Sequence, residues 1–155
     1  MLPPLDAARL KAANINPVTG LATDYLNHYN EVAMTIASLG DMPEMRDSVL
    51  EWRPLGYPAH FLHTGFAERG LAIAAYIAAP RDVKTRFLAM REELDASVVS
   101  VQRRLEEGRE PASMGGDAAA IFAGISRLGG VINGGESASI LQRSAEQALV
   151  DSFFA

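Results

Sequence analysis

The sequence predicts an all-α protein: a helical bundle with one long helix at about 81–107 and a C-terminal helical extension. Three observations carry this expectation. The 155-residue chain is 48% hydrophobic, a globular value and too apolar for a disordered chain. Its apolar side chains recur at steps of three and four, with no convincing apolar–polar alternation. Alanine, the best helix former, is abundant.

The elements follow in order. A short first helix is expected from Leu5 to about Ala13, broken by "NPVTG", where proline and glycine cluster. A second helix runs from about Leu21 to Leu39; Leu21, Tyr25, Val32, Ile36 and Leu39 fall within roughly 60° on a wheel. Asp41 is expected to cap the next helix, because Pro43 follows in the first turn and Glu44 at the third helical position. That helix reaches about Trp52, and "RPLGYP" is a connector. Pro58 starts another helix, with Gly65 ending its first turn or tolerated within it. "GFAERGLAIAAYIAA" carries so little polar surface that a central position is expected. Pro80 stops it.

In the long helix Phe87, Met90, Leu94, Val98, Val101 and Leu105 form an a/d seam. At 1.5 Å per residue it spans ~40 Å, longer than a core of this size needs, so a homodimer is expected to use part of it. "GREPASMGG" is a linker, Asp117 a cap for a helix from Ala118 to about Leu128, and "GGVINGGES" an interruption. A last helix is expected from Ser137 to the end. The length fits one domain: a bundle core at 1–107, and a glycine-interrupted segment at 108–155 that is part of the same domain or a dimer arm.

Charge and composition exclude several functions. The formal net charge is −5 and the arginines are interleaved with acids, so no basic stripe for nucleic acid survives. No run approaches the ~20 apolar residues of a membrane span, and the N-terminus lacks a signal-peptide core. With no cysteine, disulfides and thiolate metal sites are excluded. A cytoplasmic protein is expected.

The three histidines raise the one chemical candidate. "TDYLNHYNE" sets Asp24, His28 and Glu31 on one helical flank, at the edge of the apolar stripe. "HFLH" supplies His60 and His63. Imidazoles and carboxylates converging on one point suit a divalent transition metal, but one helix face cannot surround an ion. The five residues become a ligand set only where "HFLH" packs across from the second helix; otherwise they are the hydrated border of a buried helix.

The chain ends "SAEQALVDSFFA". Gln147, Val150, Asp151 and Phe153 fit a Gln-x-x-(Val/Ile)-Asp-x-(Leu/Phe) pattern. This short stretch resembles the amphipathic peptides of flagellar switch proteins and chemotaxis phosphatases that dock on a response regulator. The resemblance implies a partner-binding helix through these residues and Phe154. The function expected is therefore non-catalytic regulation or scaffolding by helix-mediated protein association. The alternative is a metal- or cofactor-binding bundle using Asp24, His28, Glu31, His60 and His63.

Overall fold

The computed structural model describes residues 5–134. Among them are seven α-helices: α1 Ala7–Ala12, α2 Asn27–Ser38, α3 Arg46–Glu51, α4 Tyr57–His63, α5 Arg69–Ala78, α6 Arg81–Glu106 and α7 Gly115–Ile132. Short 3-10 turns at Thr23–Leu26, Pro43–Met45 and Pro111–Met114 lead into α2, α3 and α7. No strand occurs among the described residues; one isolated bridge joins Ile15 and Ala22. The fold is the all-α bundle expected. No described helix is long and apolar enough to cross a membrane. The helix expected from Ser137, with Gln147, Val150, Asp151, Phe153 and Phe154, lies outside the described residues.

The long helix organises the bundle. Phe87, Leu94, Val98, Val101 and Leu105 are all 3% exposed or less, and Met90 is half-buried. Their cover comes from the same chain: α7 lies along α6, and α3 crosses its C-terminal half. The seam that pointed to a second subunit is thus filled within the protein. The α6–α7 contact is close because Gly124 faces Leu94; a Cβ there would sit 2.7 Å from the Leu94 side chain.

Several local expectations are corrected. Asp41 caps nothing: Met42 occupies the cap position before the Pro43 turn, without a side-chain bond. Gly65 lies between two separate helices, since α4 ends at His63 and α5 begins at Arg69. α5 is not central: Leu71, Ala72 and Ala75 are buried, but Ile77 is 59% exposed. α7 begins before Asp117, which pairs with Arg104 of α6 instead of capping. It also runs through the Gly129–Gly130 pair. Gly129 is used there for close approach, as a Cβ would lie 3.3 Å from Leu26.

"NPVTG" does more than break a helix. The Asn16 side chain accepts from the backbone N–H groups of Val18 and Thr19, an Asx turn. Its amide donates to the Asn133 carbonyl, and the Thr19 hydroxyl donates to that of Ile132. The loop therefore satisfies carbonyls that the C-terminal end of α7 leaves open. Gly20, at φ +74°, allows the loop to turn back; a Cβ there would sit 2.7 Å from the Ala75 carbonyl oxygen.

Gly20→Ala is expected to lower unfolding free energy by roughly 2 kcal/mol or more, through the left-handed backbone and the clash with Ala75. Gly130→Ala, inside α7 with nothing within 4 Å of its Cβ, is expected to raise it by about 0.5–1 kcal/mol. Urea denaturation of both variants checks this; equal effects would refute the account of the loop.

Candidate functional site

"HFLH" does pack across from "TDYLNHYNE". The 3-10 turn before α2 carries Asp24, and α4 presents His60 to it. His60 Nε2 donates to Asp24 Oδ2 at 2.9 Å. The His60 ring is 3% exposed and meets Tyr25 edge-on, with centroids 5.4 Å apart.

His28 is held by a different partner. Its Nε2 donates to the Arg53 carbonyl at 2.8 Å, and its ring stacks on Trp52 with centroids 4.8 Å apart. Trp52 Nε1 in turn donates to the His28 carbonyl at 3.0 Å. This reciprocal clasp fastens α2 to the segment leaving α3. A carbonyl only accepts, so the neutral ring carries its proton on Nε2. Burial holds the His28 pKa below its ordinary 6.5; the Arg53 carbonyl opposes this, and His60 adds to it.

Behind the histidines lies a chain of hydroxyls. Tyr25 donates to the Leu55 carbonyl at 2.6 Å, and Tyr29 donates to Asp95 Oδ1 at 2.8 Å. Asp95 Oδ2 lies 3.6 Å from Arg91 Nε. Burial raises the Asp95 pKa above 3.8, against the lowering effects of the Tyr29 bond and Arg91. Gln102 of α6 donates one amide nitrogen to the carbonyls of Val49 and Trp52, fixing the same segment from below.

Between α2 and residues 55–64 opens a cleft of about 400 Å³, whose lining includes His28, Asn30, Glu31, Met34, His60 and Thr64. Thr64 Oγ1 is buried there without a hydrogen-bond partner. Amides, a carboxylate and imidazole edges around an apolar floor suit a small hydrogen-bonding ligand.

The predicted ligands are thus only partly gathered. Asp24 and His60 touch, His28 and Glu31 line the same cleft as His60, and His63 stands exposed at the end of α4 outside it. Among the described residues, no group of three or more His, Asp or Glu side chains is placed to hold a metal ion. The sequence reading missed Trp52, Arg53 and Leu55 as partners, and Asp95 with Arg91. Asp95 is 66 residues from Tyr29, and no local pattern marks such a pair.

As pH falls through about 6.5, the unfolded chain protonates at His28 before the folded one does. The stability held by neutral His28 is present above that pH and is lost progressively down to its depressed folded value. Asp95 acts oppositely at lower pH: its raised value favours the fold on acidification toward 3.8. The urea midpoint is therefore expected to fall between about pH 7.5 and 5.5, and His28→Gln to flatten that slope. An identical slope in the variant would remove His28 from this role.

No protein-family model, curated protein or solved structure matches the chain.

Proposed function

We propose that this is a non-catalytic regulatory or scaffolding protein of the cytoplasm, acting by helix-mediated association with other proteins. One observation carries the reading. The best chemical candidates, His28 and His60, each engage Nε2 in a bond that ties helices to connectors. They serve the platform. Outward apolar side chains support the same reading: Met34 is 64% exposed, Leu62 56% and Ile77 59%. The C-terminal pattern of Gln147, Val150, Asp151, Phe153 and Phe154 supplies a docking element of the kind that binds a response regulator.

A second reading, in which the cleft holds a metal ion or small cofactor, is favoured by the shared lining of His28, Glu31 and His60 with Asp24 beside it. It requires side chains to turn from their present partners.

Two measurements separate the readings. Full-length chain and chain lacking residues 137–155 are used as baits in host lysate. The truncated bait is expected to lose a receiver-domain protein; an unchanged partner list would exclude the tail as the binding element. Separately, purified protein is assayed for metals and melted with and without chelator. The association reading expects no bound metal and no change in Tm, whereas the cleft reading expects a stabilised loaded form.

A further inference from the structure

α6 shows its inner face to α7, α3 and the tyrosine cluster, and no described element covers its outer face. Arg81, Leu88, Val99 and Glu106 fall within about 20° of one another there on a helical wheel. All four are exposed, Leu88 by 43% and Val99 by 44%.

The pattern is self-complementary when reversed. Laid antiparallel about a two-fold axis between Glu93 and Leu94, Leu88 meets Val99 of a second copy, and Arg81 meets Glu106 of that copy. Each contact occurs twice, as an isologous interface requires. A shallow depression of about 570 Å³ beside Leu88, Glu92 and Asp95 leaves room for Val99 of the second copy. Parallel packing keeps the apolar contacts but loses both ion pairs, since it sets Arg81 against Arg81 and Glu106 against Glu106.

We propose that the outer face of α6 is a homodimer interface, in which two copies pair antiparallel through Leu88 and Val99 with Arg81–Glu106 ion pairs at both ends. This rests on the reading of the protein as an association module and names a second copy of the chain as one partner. It also reassigns the dimer surface from the a/d seam to the opposite side of the helix. The apolar area is modest, and Glu92 of each copy lies near the axis beside Asp95 of the other. Dissociation constants on the order of 1–100 μM are therefore expected.

Analytical ultracentrifugation of the full chain across that range tests it. The wild type is expected to shift from 16.6 kDa toward twice that mass. Leu88→Glu with Val99→Glu is expected to remain monomeric, with an unchanged melting curve to show that it folds. Arg81→Glu alone and Glu106→Arg alone are each expected to dimerise about tenfold more weakly. An equimolar mixture of these two restores both ion pairs, so only the mixture is expected to recover wild-type mass. Glu92→Ala is expected to tighten the dimer. A wild type monomeric throughout, a dimer indifferent to Leu88 and Val99, or a mixture no better than its components would each overturn the proposal. Chain lacking residues 137–155 is expected to dimerise as before. Loss of partner capture without loss of the dimer, or the reverse, tells failure of the tail reading from failure of this one.

Discussion

Three tyrosine hydroxyls buried in the bundle constrain nearly everything around them. Tyr25, Tyr29 and Tyr57 are each 1% exposed or less, so their rings add much apolar burial while their oxygens lose water. A buried hydroxyl left without a partner costs about 1–3 kcal/mol. The partners here come from elements distant in sequence. Tyr25 bonds the Leu55 carbonyl, Tyr29 bonds Asp95 of α6, and Tyr57 accepts from the Ala22 N–H. Each bond fixes a connector or a neighbouring helix against the aromatic centre, where Tyr25, Tyr57 and Phe87 meet at 5.2–5.6 Å. The irregular backbone around Arg53 and Leu55 is thereby tied to the core through its carbonyls.

The histidines inherit their positions from this arrangement. α4 must place Tyr57 and Phe61 in the core, and the same helical turn carries His60 inward to Asp24. Tyr29 must face α6, so its neighbour His28 faces the segment after α3, where Trp52 and Arg53 close on it. The cleft is the gap left between these two clasps. Its polar lining is a consequence of how the helices are fastened. For that reason we propose association, with the bundle as a support, ahead of chemistry at the cleft.

Much of the fold was legible because periodicity and proline positions act locally. The start of α6 after Pro80 and its buried seam follow from spacing alone. Misreadings arose where tertiary contact overrides a local signal. The Gly129–Gly130 pair looks like an interruption, yet Leu26 packs where a side chain would stand, and the helix continues. Asp117 has the chemistry of a cap, but Arg104 in the last turn of α6 offers it a charged partner. The apolar composition of α5 suggested a central place, yet only one of its faces is covered.

By itself the sequence determined the class of the molecule: all-α, one dominant amphipathic helix, and a flank of α2 carrying His28 and Glu31. These are properties of nearest neighbours on a helix, which side-chain spacing encodes directly. Only the tertiary structure decided which chain covers the α6 seam and what each histidine touches. It also decided that Asp95 completes a network begun by Tyr29. Such contacts join residues 24–66 positions apart, and their partners are selected by burial of hydroxyl and ring. No spacing within a single helix records that choice.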